Sequence, residues 1–187
     1  MAVGREIRAF DIAGPPAIDE LPHDLLVAVR GLYLQAGVVA PYTPQREQES
    51  SEYGACRFEL EGLAVVFRMA KTTPAKIGQF VTLWKRPAPG EEITPLDSRD
   101  DIDLVVVSVA DATHCGQFVF NRDALLKYGV MSLNGHGGKR AIRVYPPWTQ
   151  PVAKDAIKTQ QWQLRYFVAL APQDAAASAR LRQLILG

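Results

Sequence analysis

The sequence predicts a single mixed α/β (α+β) domain, with a central β-sheet of about five to seven strands flanked by helices. Three observations lead there. The chain has 187 residues, 48% hydrophobic and 22% charged, enough to close a core without metal or disulfide staples. Its middle is a succession of short β-branched and aromatic runs separated by turn residues. Helical spacing is confined to the two ends and to one short segment between strands.

Residues 1–20, broken by Gly14-Pro15-Pro16, read as an N-terminal arm, and residues 21–187 as the domain. Leu21 to Gln35 places Leu25, Leu26, Val29, Leu32 and Tyr33 at helical spacing, with Asp24 near the start and Gly37 at the end. The polar stretch Thr43 to Ser51 reads as an exposed, mobile loop. Ala55 to Leu60 and Leu63 to Met69 form a hairpin closed by Glu61-Gly62, and Phe80 to Lys85 is a third strand. Asp103 to Ala110 is continuously apolar and β-branched, as a strand buried on both faces must be. After a short strand at Gln117 to Phe120, Asn121 caps a helix from Arg122 to Tyr128 that Gly129 stops. Lys139 to Tyr145 is a strand closed by Pro146-Pro147. Gln161 to Leu170, rich in aromatics, reads as another. Ala175 to Leu186 is a helix built from good helix formers. Gly-Gln-Phe-Val occurs at Gly78 to Val81 and again at Gly116 to Val119, but the flanks differ. The two copies are a coincidence or two similar loop-to-strand junctions, and they do not make this a repeat protein.

Two cysteines, Cys56 and Cys115, are too few for a disulfide framework and are expected as small buried residues in a reducing, cytoplasmic setting. Arg5, Glu6, Arg8 and Asp11 rule out a secretory apolar stretch at the start, and Leu104 to Val107 is far too short to cross a bilayer. No membrane partner is expected, and the oligomeric state is left open.

The net charge of +1 hides a segregation of charge. Cys56 to Arg86 holds Arg57, Arg68, Lys71, Lys76, Lys85 and Arg86 against Glu59 and Glu61. Glu91 to Asp103 reverses the sign, and Lys139 to Arg165 reverses it again with Lys139, Arg140, Arg143, Lys154, Lys158 and Arg165 against Asp155. Two basic segments far apart in sequence can converge on one positive face. The bland alternative is solvated charge scattered over the surface.

What lies between the charges favours the face. If Val65 to Lys71 is one strand, Arg68 and Lys71 fall on opposite faces. The following loop offers Thr72, Thr73, Lys76 and backbone amides near Gly78, with Gln79 beyond; hydroxyls, ammonium groups and free amides are what hold a phosphate. Trp84 beside Lys85 and Arg86 adds a stacking surface next to positive charge, which suits single-stranded nucleic acid. Asn134-Gly135-His136-Gly137-Gly138 ahead of Lys139 and Arg140 lets backbone approach an anion closely, although it lacks the order of a P-loop. Its plain alternative is a flexible hairpin tip. Arg143, Tyr145 and Trp148, then Lys158 to Trp162, repeat the polar-aromatic pattern.

Several of these strings together resemble the MepB-like family: Glu52-Tyr53, Ala55-Cys56, Lys71-Thr72-Thr73-Pro74, Gly78 to Thr82, Trp84-Lys85-Arg86, Gly116 to Phe120, Gly138-Lys139-Arg140, Arg143 to Trp148 and Lys158 to Gln163. The matches run from about residue 52 to 165. The family includes a protein encoded beside a multidrug efflux pump and its repressor. The resemblance implies an α/β domain with a nucleic-acid-binding face.

A metal-dependent nuclease is the alternative. Nucleases of the PD-(D/E)xK type place carboxylates on adjacent strands, with a lysine beyond, to hold magnesium and activate water. Glu52, Asp101, Asp103 and Lys71 are the available pieces, and the order helix, hairpin, strands, helix is compatible with a restriction-endonuclease-like core. However, Met69 stands where that motif wants an acid. A small-anion or efflux-linked ligand pocket is the third possibility. His23, His114 and His136 lack zinc spacing, and Ser108 and Ser132 lack triad partners. The leading expectation is therefore a phosphate- or nucleic-acid-binding face of Arg68, Lys71, Thr72, Lys76, Gln79, Trp84, Lys85, Arg86, Lys139, Arg140, Arg143 and Lys158. It carries no metal ligands and needs no cofactor, with magnesium entering only if the protein is a nuclease.

Overall fold

In the computed structural model, which describes residues 21–38, 42–171 and 173–187, a six-stranded mixed sheet forms the framework. The arm expected at residues 1–20 lies outside the described residues. Helix α1 (His23–Ala28) runs into a π-helical turn, Val29–Tyr33. Strand β1 (Tyr42–Arg46) leads through a 3-10 turn, Ser51–Tyr53, to the hairpin β2 (Cys56–Leu60) and β3 (Leu63–Met69). Next come β4 (Lys71–Thr73), β5 (Lys76–Thr82), β6 (Trp84–Lys85) and β7 (Thr94–Pro95). Then β8 (Leu104–Ala110), β9 (Cys115–Asn121) and α2 (Arg122–Lys127) follow. The chain ends with β10 (Ala141–Val144), α3 (Lys154–Gln163), β11 (Phe167–Ala169) and α4 (Ala175–Leu186).

The main sheet has the order β1-β2-β3-β8-β9-β11. β3 and β8 pair in parallel, and the other neighbours are antiparallel. Leu104 through Val109 are all buried, as the continuous β-branched run demands of a central strand. One face is covered by α1, the π-turn and α4, which bring Leu25, Leu32, Tyr33 and Leu181 onto Phe67 and Val106. The other face is covered by a second, three-stranded sheet, β10-β5-β4, with Val81 and Val144 against Val66, Val105 and Phe118. Each such side chain contributes roughly 1.5–3 kcal/mol on burial. A buried polar thread crosses the framework: Tyr33 donates to Gln117 Oε1 at 2.7 Å, and Gln117 Nε2 donates to Ser108 Oγ at 3.0 Å. Burial pushes the Tyr33 phenol far above its ordinary range.

Asn121 caps α2 as its sequence position predicts, accepting the Ala124 N–H at 2.9 Å. Asn121→Ala is expected to cost about 1 kcal/mol in urea unfolding, because that amide loses its acceptor.

Four readings of local structure are corrected. Residues 43–46 of the expected loop are part of β1, an edge strand paired with β2, and edge strands are polar because one side faces water. The strand expected over Gln161 to Leu170 divides into the end of α3, a 3-10 turn at Leu164–Tyr166, and β11. Trp162 and Tyr166 are four residues apart, a helical spacing, and their rings meet Phe120 at 5.4 and 5.9 Å. Lys71 does not continue β3: that strand ends at Met69, and Lys71 opens β4 in the other sheet. Cys56 is buried, but Cys115 is exposed at the start of β9; both are free thiols. No described helix is long and apolar enough to cross a membrane.

Candidate anion-binding cleft

Alternation along β5 sends Gln79 and Val81 inward and leaves Phe80 and Thr82 half-exposed on the outer face. Beyond β5, Trp84, Lys85 and Arg86 line a cleft of about 730 Å³, whose other wall comes from the segment after β1 and from β2 and β3. Glu47, Glu49, Ser50, Arg57, Arg68 and Asp100 are among the other lining residues. The two walls meet where Thr82 Oγ1 donates to Ser50 Oγ at 3.4 Å.

The cations here are paired. Arg68 is only 2% exposed; its Nη1 donates to the Phe67 carbonyl at 2.8 Å and its Nη2 meets Glu47 Oε2 at 2.6 Å. Its buried Nε has no partner among the described residues. The other Glu47 oxygen accepts Arg57 Nε at 2.5 Å. Burial lowers the pKa of the Arg68 guanidinium, against the opposing pull of Glu47. Nearer the mouth, Arg86 Nε bonds Glu49 Oε1 at 2.5 Å, and Lys85 pairs with Asp100. Four cations thus face three carboxylates.

Arg68, Trp84, Lys85 and Arg86 of the expected face come together here. The rest are arranged differently. Lys71 is exposed, with Nζ 4.5 Å from the Tyr53 ring centroid, and Tyr53 packs edge-on to Phe80 at 6.3 Å. Gln79 is buried, donating to Thr72 Oγ1 at 3.2 Å and to the Ala110 carbonyl at 2.6 Å, so it clamps one sheet to the other. Arg143 is committed to the β4–β5 hairpin through the Lys76 and Gly78 carbonyls at 3.3 and 3.1 Å and Thr73 Oγ1 at 2.8 Å. Lys76, Lys139, Arg140 and Lys158 are exposed. The Arg140 carbonyl accepts the Leu83 amide at 2.8 Å, which sets Lys139 and Arg140 beside the strand that leads to Trp84. Trp148 is stacked on His114 at 5.0 Å and Trp162 on Tyr128 at 4.1 Å. Of the three tryptophans, Trp84 is the one that lines the cleft.

The acidic pieces of the nuclease alternative are dispersed. Asp103 Oδ2 accepts the Ala64 amide at 2.9 Å, at the start of β8, whereas Met69 pairs with Ser108 at the other end. Lys71 lies past Met69, where β3 ends, and opens β4 in the other sheet, whereas Asp103 sits by Ala64 at the start of β3. Asp101 is exposed near Asp103, and Glu52 is exposed in the turn next to Tyr53. Among the described residues no three His, Cys, Asp or Glu side chains converge to hold a metal ion.

The glycine-rich loop already embraces an anion from within the chain. Asp97 is buried, and its carboxylate accepts from Ser132 Oγ, Arg99 Nε and the Gly135 amide, each at 2.6 Å. The Ser132 hydroxyl, then Arg99, hold its pKa far below the usual carboxylate range. Sequence reading passed over Asp97, Glu47 and Glu49. The signal for the last two was a pair of acids, two residues apart, shortly upstream of the first cationic run.

A family model described as MepB-like matches residues 47–169. The chain belongs to the MepB-like family. A crystal structure of MepB aligns with a TM-score of 0.65 at 32% identity, covering 69% of this chain and 86% of that one. A bacterial homing endonuclease aligns with a TM-score of 0.46 at 17% identity, covering 80% of this chain and 93% of the other. No curated protein matches. The MepB-like match opens at Glu47, the carboxylate that joins Arg57 to Arg68, and spans the whole cleft lining.

Proposed function

We propose that this MepB-like protein binds phosphate groups in the cleft, and that the ligand is a nucleic acid taken up in the cytoplasm. One observation carries the reading: Arg57, Arg68, Lys85 and Arg86 converge with Trp84 around a single cavity of about 730 Å³. Guanidinium groups recognise phosphate oxygens bidentately, and an adjacent aromatic face stacks a base. Lys71, Lys76, Lys139 and Arg140 are further exposed cations outside the cleft, and the Arg140 carbonyl bonds the Leu83 amide next to Trp84. Metal-dependent cleavage has no comparable support, since Asp103 is bonded to a main-chain amide of the main sheet while Lys71 stands on β4 of the other sheet.

A smaller phosphate-bearing ligand is the second reading, favoured by the burial of Arg68 at 2% exposure rather than along an open groove. Fluorescence anisotropy with short single- and double-stranded DNA and RNA at two salt concentrations tests both. Affinity is expected to fall as salt rises, and Arg86→Ala should reduce the slope of log affinity against log salt by about one. Trp84→Ala should cost about 1–3 kcal/mol for single strands. Salt-independent affinity would rule out the nucleic-acid reading.

A further inference from the structure

We infer that Arg68, with Arg57 beside it, is an inner subsite for a phosphoryl group, and that the Glu47 carboxylate is a stand-in which the incoming group displaces. The inference rests on the cleft reading above and adds which residues take the phosphate and what occupies their place beforehand.

Stability gives no reason for a guanidinium at this position. Val66 and Phe67 beside it are buried and apolar, and a buried ion pair is commonly matched or bettered by apolar side chains of similar volume. The pair is also incompletely satisfied. Arg68 has one N–H on the Phe67 carbonyl and one on Glu47, while its buried Nε is left without a partner among the described residues. Buried donors are nearly always bonded, so an orphan in a cleft wall indicates a missing acceptor. A phosphoryl group presents its oxygens tetrahedrally, where the carboxylate now there offers two in one plane.

Glu47 is placed to yield. It lies just past the end of β1, outside any helix or strand, and its side chain is 25% exposed. Its backbone is fixed by donation to the Ala55 carbonyl at 2.9 Å, so a change of side-chain rotamer alone uncovers both arginines. Glu49 on Arg86 repeats the arrangement nearer the mouth, with an exposed carboxylate on a partly exposed guanidinium. The exchange substitutes one anion for another and makes or breaks no covalent bond.

The test compares the full chain with Glu47→Gln and with the double replacement Glu47→Met plus Arg68→Met. One probe is a fluorescein-labelled single-stranded oligonucleotide followed by anisotropy; the other is inorganic phosphate followed by thermal shift. Folded Glu47→Gln is expected to bind about tenfold more tightly than wild type, because no internal anion competes. The double variant removes both charges together, so it should fold and bind about tenfold more weakly. If Glu47→Gln does not fold, the double variant decides alone. Gains and losses seen with both probes identify a general phosphate subsite; effects with the oligonucleotide alone identify a phosphodiester subsite, and either result supports the inference. Wild-type affinity in the double variant, or in folded Glu47→Gln, would overturn it while leaving the cleft as the binding site. Failure of wild type and both variants to bind either probe would instead end the cleft reading, and the inference with it.

Discussion

Glu47→Ala is expected to destabilise the fold by about 3 kcal/mol, read as a lowered urea midpoint with little change in slope. The substitution leaves Arg68 as a charge that is 2% exposed with no opposite charge to balance it. Breaking a buried pair in this way costs roughly 3–5 kcal/mol, and the low end applies because Glu47 is itself 25% exposed and water can enter. For a domain of this size the thermal midpoint should drop by roughly 6–12 °C. Glu49→Ala is the control. Its partner Arg86 is 31% exposed, so the loss should stay below about 1 kcal/mol. Equal costs for the two would mean that Arg68 is solvated after all. A phosphate ligand should restore part of the lost stability in Glu47→Ala, since binding to the folded state alone raises it.

That contrast also shows why the cleft was only half legible in the sequence. Arg68, Trp84, Lys85 and Arg86 were visible as cations and an aromatic in one basic run, because composition and spacing carry that much. The burial of Arg68 was not visible, because it depends on Glu47, 21 residues away across the β1–β2–β3 edge of the sheet. Pairing across strands decides which charges are free, and no local pattern encodes it. Arg143 makes the same point in reverse: it reads as a free cation, yet it is tied to the Gly78 carbonyl and the Thr73 hydroxyl. Local chemistry was legible wherever it was self-contained. The Glu61-Gly62 turn, the Asn121 cap and the valine-rich β8 all form where the residues place them. The aromatic stretch ending α3 misled because Trp162 and Tyr166 favour strands by type but use a helical interval to reach Phe120.

The duplicated Gly-Gln-Phe-Val carries the other large expected effect. Both copies sit in strands, and in both the glycine lies under an aromatic ring: Tyr145, just past the end of β10, and Phe167, in β11. A Cβ at Gly78 would stand 2.7 Å from the Tyr145 ring and 2.9 Å from the Val144 carbonyl; one at Gly116 would overlap the Phe167 ring and stand 2.9 Å from the Val168 carbonyl. Neither clash is relieved cheaply: Phe167 is wedged against Phe118 and Trp148 at 5.2 and 5.8 Å, and at Gly78 the Val144 carbonyl is backbone, which no side-chain rotation moves. Overpacking of this kind costs roughly 1–3 kcal/mol. Gly78 also has φ +84°, in the region that side chains disfavour by about 1–2 kcal/mol, so Gly78→Ala should be the worse of the two in urea unfolding. Function should separate them further. The Gly78 carbonyl anchors Arg143, on the sheet whose strand β5 leads to Trp84, whereas Gly116 pairs with Ala169 at the far edge of the main sheet. Gly78→Ala is therefore expected to weaken oligonucleotide binding even where it remains folded, and Gly116→Ala to lower stability while leaving affinity unchanged. An equal loss of affinity in both would show that binding tracks global stability and not the position of the β4–β5–β10 sheet.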